Sequence, residues 1–213
     1  MTSNLNSTLK AVSAGLAVAL TVGACAVMEP KAESYVAPPI GSRWVIATHN
    51  TGSYGAGDTT TALQRGERIW EGEKLVSIAF PGGAVLARPD GAWVAMVGRR
   101  RTMLSWNPPV NWDYPLEVGK TWTKSSSMTI HAAKRTIPYT YTGKVEAYED
   151  VTVPAGTFKA FRVRATNTLG DDDTNWFSPK LGIIVKRHRV RTVKHARGPG
   201  TRDVELASQD IVK

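Results

Sequence analysis

Residues 139–168 read YTYTGKVEAYEDVTVPAGTFKAFRVRATNT, and this stretch decides the fold. The first arm, Tyr139–Glu149, is rich in aromatic and β-branched residues. Pro154-Ala155-Gly156 then interrupts it. The second arm, Phe158–Thr168, alternates: Phe158, Ala160, Arg162 and Arg164 fall on one face, and Lys159, Phe161, Val163 and Ala165 on the other. A period of two is that of a strand, and a Pro-x-Gly break between two such arms is a turn. The stretch predicts an antiparallel hairpin.

The same grammar extends outward in both directions. Strand-like runs occur at Trp44–Thr48, Lys74–Phe80, Ala84–Arg88, Ala92–Val97, Thr121–Ile130, Thr174–Ser178 and Ile183–Val193. Pro81-Gly82-Gly83, Pro89-Asp90-Gly91, Asn107-Pro108-Pro109 and Leu169-Gly170-Asp171 punctuate them. Links this short favour hairpins, because parallel crossovers need a dozen or more residues. The fold class expected is mainly β, an antiparallel β-meander. Trp44, Pro81 and Trp93 recur in the same order as Trp122, Pro154 and Trp176. This suggests two similar halves, 40–110 and 111–195, forming one curved sheet or half-barrel. A tail, 198–213, either a short final strand or a docking segment, would follow a β domain spanning 40–197.

The N-terminus has a different character. Lys10 is the one charge before Glu29, and an Ala/Val/Leu-rich run lies between them, ending in Val22-Gly23-Ala24-Cys25. The run is too short for a comfortable transmembrane helix and has the length of a signal-peptide core. Val22–Cys25 resembles the lipobox of bacterial lipoproteins, and Cys25 is the single cysteine of the chain. The resemblance implies lipidation of Cys25 after removal of residues 1–24. It also implies outer-membrane delivery in a Gram-negative host, because Ala26 stands where an inner-membrane retention signal carries Asp. Residues 25–39 are small, polar and proline-rich, and read as a flexible tether.

A second resemblance rests on Tyr114–Trp122, Glu149–Val163 and Trp176–Lys186. These segments resemble a pattern in uncharacterised bacterial envelope proteins and lipoproteins built on β-sheets. The pattern implies a fold and a location and carries no activity.

The composition is that of an ordinary globular chain: 213 residues, 42% hydrophobic and 21% charged. One cysteine excludes an intrachain disulfide framework and multi-cysteine metal clusters. The 27 Lys and Arg exceed the 18 Asp and Glu by nine. Lys186, Arg187, His188, Arg189, Arg191, Lys194, His195 and Arg197 form one basic stretch, and Arg99-Arg100-Arg101 a second. On a strand, Arg187, Arg189 and Arg191 share a face, which makes them candidate anion contacts. Such charge alone would suit nucleic acid. An exported chain instead points to anionic lipid headgroups or a cell-wall polymer, alongside the membrane reached through the lipidated cysteine.

Chemistry is sparse. No nucleophile elbow, zinc-protease helix, phosphate loop or dinucleotide fingerprint occurs. The four histidines, His49, His131, His188 and His195, lack metal-ligand spacing. No catalytic residue, metal or cofactor is expected. Asp171-Asp172-Asp173 with Asn175 is oxygen-rich but lacks the calcium-loop spacing, and reads as a solvated hairpin tip. Trp106 and Trp112 flank a proline-rich connector and are candidate ligand or membrane contacts. The functional expectation is a lipid-anchored envelope protein with a non-enzymatic binding or structural role. It would act on acyl chains or a lipoprotein in a concave sheet, or on an envelope polymer. The alternative is an envelope hydrolase with a dispersed site.

Overall fold

The computed structural model describes residues 30–213; residues 1–24 and Cys25 lie outside the described residues. Among the described residues the strands are β1 Lys31–Ala32, β2 Arg43–Asn50, β3 Gly57–Trp70, β4 Glu73–Phe80, β5 Gly83–Ala87, β6 Trp93–Gly98 and β7 Thr102–Val110. They continue with β8 Leu116–Glu117, β9 Thr121–Ile130, β10 Arg135–Val153, β11 Gly156–Asn167, β12 Asp171–Ser178, β13 Ile183–Arg191 and β14 Gly200–Asp210. β1 and β8 form a small antiparallel ladder. All the others form one closed antiparallel barrel in chain order. The ring is sealed twice: β7 pairs with β9, and β14 pairs with β2, with Asp210 opposite Arg43.

The expected β-meander is therefore present, and its curvature runs to full closure. Closure removes the exposed sheet edges that would otherwise template aggregation. The hairpin at 139–168 forms as read: Val151 lies opposite Phe158 and Val153 opposite Gly156. Phe161 and Val163 are fully buried, whereas Arg164 is exposed. The two proposed halves do not correspond strand for strand. Three strands separate Trp44 from the turn at Pro81, but only two separate Trp122 from the turn at Pro154.

Eight strands suffice for inward side chains to fill a barrel, and a twelve-stranded ring is wider. One end of this one is plugged by extra chain. Ala32, Leu116, Trp122, Tyr141, Val145, Phe161, Val163 and Phe177 form one buried cluster, with Tyr35, Trp112 and Tyr114 packed against it. Beside it Trp44, Val151, Val153, Ala160, Ile183, Val185 and Leu206 form a second. The tip of the β10–β11 hairpin is tied to this end by Ala155 N–H donating to Leu206 C=O, 3.0 Å. A third cluster, Leu75, Ala84, Leu86, Val94, Ala95 and Val97, lies between β4, β5 and β6 under Trp70.

Two boundaries need correction. The segment assigned to a tether is docked from Lys31 to Pro38. Ala32 is 7% exposed and Pro38 is buried. The Tyr35 ring packs on Phe177 at 6.1 Å and so closely over Gly91 that a Cβ there would lie 2.9 Å from it. Proline suggested flexibility, but the wide barrel end supplies an apolar surface for this segment. The tail assigned to 198–213 contains β14, an integral barrel strand. Gly198-Pro199 marks the turn into it, and Leu206 is fully buried.

Candidate functional site

Opposite the plug, the barrel end is polar. On β12, Asp171, Asp173 and Asn175 are buried while Asp172 and Thr174 are half-exposed, so the first three point inward. The register places Asn175 opposite Arg187, Asp173 opposite Arg189 and Asp171 opposite Arg191. Directly opposed residues share a face, so all three arginines line the lumen. On β14, Arg202 lies opposite Arg189 and joins them, and Asn50 of β2 lies opposite Arg202.

The loops at this end are stitched together. A 3₁₀ turn at Gly52–Tyr54 follows β2. Ser53 N–H donates to Pro199 C=O at 2.9 Å, and Ser53 Oγ donates to Gly198 C=O at 2.7 Å. Gly52 has φ +57, and a Cβ there would fall 2.6 Å from Pro199 O, so the turn requires glycine. The turn carries Tyr54 between two guanidiniums: Arg191 lies 3.6 Å and Arg202 4.4 Å from the ring centroid. Both distances are within cation–π range.

The arginines are unequally satisfied. Arg189 donates through Nε to Asp173 Oδ1 at 2.6 Å and through Nη2 to Asp173 Oδ2, a bidentate pair. Burial opposes its charge, but the Asp173 contact outweighs burial and holds the guanidinium above its ordinary pKa. Arg187 donates to Asn175 Oδ1 at 2.6 Å, Arg202 to Asn50 Oδ1 at 2.8 Å, and Arg191 to Ser53 O at 3.0 Å. All three acceptors are neutral. Burial, and then the neighbouring Arg189, push the Arg187 pKa down to about 10. Arg202 is also lowered, chiefly by burial. Tyr139 faces this field from β10, and burial raises its phenol pKa despite Arg189. Asp171 accepts from Asn167 Nδ2 at 3.0 Å and lies 3.8 Å from His195. Burial lowers the His195 pKa, with Asp171 opposing.

The outer face of the same strands differs. Lys186 pairs with Glu205 at 2.8 Å, His188 with Asp203 at 2.5 Å and Arg164 with Asp172 at 2.7 Å. Arg162 meets Glu146 and Glu149. Outward Lys186, Arg162 and Arg164 have carboxylates, and inward Arg187, Arg191 and Arg202 do not.

Several sequence expectations change with placement. Arg187, Arg189 and Arg191 do share a face, as expected, but it is the lumen wall and not an open outer surface. Asp171–Asp173 is part of β12, not a hairpin tip, because Arg189 and Asn167 take up its inward carboxylates. Trp106 is buried against Trp93, with centroids 6.1 Å apart, and Trp112 packs edge-on to Phe177 at 5.6 Å. Trp106 is a core residue, because β7 continues through Asn107-Pro108-Pro109 to Val110, and Trp112, just past the strand, packs half-buried against the plug. Cys25 lies outside the described residues. Sequence reasoning missed Tyr54 and Arg202. The clue available was Arg202 at a β-period from Val204 and Leu206.

One contact bears on the hydrolase alternative. Ser105 Oγ lies 2.9 Å from His131 Nε2. Among the described residues no carboxylate is hydrogen-bonded to His131, so the third member of a triad is not supplied there. No group of three or more potential metal ligands occurs among the described residues.

No family model and no curated protein matches the chain. Solved structures do. A candidate exported protein of Bacteroides fragilis with a YmcC-like fold is 12% identical, with TM-score 0.50, covering 84% of this chain and 99% of that one. A candidate lipoprotein of Parabacteroides distasonis is 12% identical over the same shares, with TM-score 0.44. The hypothetical lipoprotein YmcC of Escherichia coli K12 is 11% identical, with TM-score 0.37, covering 81% and 86%. At such identity the B. fragilis likeness concerns the fold alone.

Proposed function

We propose that this chain is an exported, lipid-anchored cell-envelope protein that works by binding and not by catalysis. The observation that carries the reading is the entry point of the chain. Lys31 is fixed at the plugged end, and Cys25 precedes it by six residues, a reach of no more than about 20 Å. An acylated Cys25 would hold the plugged end against the membrane and turn the arginine-lined end away from it. The lipobox-like Val22–Cys25 and the candidate exported B. fragilis protein of the same fold support export. In a Gram-negative host, Ala26 favours the outer membrane, with the barrel in the periplasm.

The interior favours an acidic partner over acyl chains. Aromatic and aliphatic side chains fill the plugged half, and the other half is lined by Arg, Asp, Asn and Tyr. Hydrocarbon gains nothing from a charged lining.

Membrane fractionation of wild type and Cys25→Ser, with intact mass, tests the reading. Wild type should float with membranes and carry diacylglyceryl mass, and the variant should be soluble. An unacylated, soluble wild type overturns it.

A further inference from the structure

We propose that the polar end of the barrel is a phosphoryl-binding site, with Arg187, Arg191 and Arg202 as its ligands and Tyr54 as the platform that orients them. The site follows from side-chain geometry and holds whether or not Cys25 is acylated.

Three observations carry it. First, the lumen is charge-unbalanced. Arg187, Arg189, Arg191 and Arg202 face two inward carboxylates, Asp171 and Asp173, and Arg189 takes both oxygens of Asp173. Among the described residues, no carboxylate lies within ion-pair distance of Arg187, Arg191 or Arg202. The outward Lys186 of β13 has Glu205, whereas the inward arginines of the same strand other than Arg189 have no carboxylate.

Second, donors are left over. Each guanidinium has five N–H groups in a planar fork. Arg187 and Arg202 each use Nε on an amide oxygen, and Arg191 uses one terminal nitrogen on Ser53. Arg191 Nε is buried with no acceptor. A buried unpaired donor is destabilising, the more so when it is charged. An oxyanion with several acceptor oxygens would relieve this cost.

Third, the residues are held in place. Tyr54 stacks under two of the guanidiniums, and the Gly52–Tyr54 turn is pinned to Gly198 and Pro199. Long arginine side chains lose less freedom on binding when already stacked.

The charge selects the ligand. Four arginines against two aspartates leave an excess of two positive charges, and a phosphate monoester carries about −1.5 to −2 at neutral pH. A carboxylate would neutralise only half of this. The phosphoryl group could belong to a soluble phosphomonoester or to a lipid headgroup bearing one.

The test uses thermal unfolding of the full-length Cys25→Ser protein with inorganic phosphate and phenyl phosphate, at constant ionic strength set with chloride. Acetate serves as the carboxylate control. A saturable rise in Tm is expected, roughly 5 °C or more at a hundredfold excess over Kd. Arg187→Gln should abolish the rise and, because it removes an uncompensated buried charge, should raise Tm without phosphate. A purely structural Arg187 would instead lower Tm. Arg191→Gln and Arg202→Gln should each weaken the rise. Flotation with vesicles containing phosphatidic acid, against phosphatidylcholine alone, identifies the source. Retention on phosphatidic acid without a response to phenyl phosphate assigns the headgroup, and the reverse assigns a soluble ester. Equal shifts with chloride or acetate, a full response in Arg187→Gln, or no response to any phosphoryl probe overturns the proposal.

Discussion

Replacing Gly143 by alanine tests how the plugged end is packed. Gly143 lies directly opposite Trp122 across β9 and β10, and the indole covers its Cα. A Cβ at 143 would fall 2.2 Å from Trp122 Cζ2 and 2.3 Å from Cε2. Carbon atoms pack at about 3.5–4 Å, so the ring must move. The backbone sets no obstacle, because residue 143 does not sit at positive φ. By propensity alone, Gly→Ala inside a strand gains roughly 0.5–1 kcal/mol. Against this, overpacking a dense core costs about 1–3 kcal/mol, and losing Trp122 altogether costs about 3–5 kcal/mol. Trp122 is 7% exposed and has no free space to enter. The net expectation for Gly143→Ala is a loss of about 2–4 kcal/mol. In the double variant Gly143→Ala/Trp122→Ala the clash is gone. Its loss should not exceed that of Trp122→Ala alone, a non-additivity of about 2 kcal/mol or more. Urea unfolding followed by far-UV circular dichroism measures all three. Additive losses, or a Gly143→Ala protein within about 0.5 kcal/mol of wild type, would refute the reasoning.

Three further outcomes are expected. Tyr35→Ala removes the aromatic that docks the N-terminal segment on Phe177; it should cost about 2–3 kcal/mol and speed amide exchange from Lys31 to Pro38, with exchange in β10–β12 unchanged. Asp173→Ala strands Arg189 among other cations; it should cost about 3 kcal/mol, the lower end for a broken buried pair, and Asp173→Ala/Arg189→Leu should recover part of this in the same urea assay. His195 has its folded pKa lowered from 6.5, so the native state binds fewer protons than the unfolded chain, and stability should fall as pH drops below about 6.5 toward the lowered value. His195→Gln should remove that slope between pH 7 and 5, and an unchanged slope would dismiss the role of His195.

The meander was legible because half of the barrel wall has one dry face. Wherever strands bury Phe161, Val163, Val145 or Leu86, the period of two stands out against turns rich in Gly and Pro. β3 was missed for the opposite reason. Its first half, Gly-Asp-Thr-Thr-Thr, has the register partners Asn50, Thr48 and Ile46 and sits beside the polar end of the lumen. A strand with water outside and a polar interior inside shows no amphipathic contrast. β14 was legible only as one of two readings of the tail, a short final strand or a docking segment, since Gly200–Asp203 serves the arginine cluster. The cluster itself was half legible: Arg187, Arg189 and Arg191 share strand parity within one segment. Arg202 reaches them through the neighbouring strand β14, whose parity the segment 186–197 does not show, and Tyr54 reaches them only through closure, which brings the turn after β2 beside β14. Trp106 misled because prolines suggested a loop, whereas β7 runs straight through them to Val110; Trp112 does follow the strand and packs half-buried against the plug.

The β2–β14 seam also sets a timetable. A chain is synthesised N-terminus first, so β2 exists long before its partner. Until Gly200–Asp210 arrives, Arg43–Asn50 offers β3 one side and bare amides on the other. No intermediate of the meander can satisfy that edge internally, because each earlier hairpin already pairs with its own neighbours. The seam therefore closes last, across nearly the whole length of the chain, and such distant pairing is slow. During that interval the molecule is an open, adhesive sheet, so the time spent unsealed, more than the final stability, governs how much of it reaches the folded state.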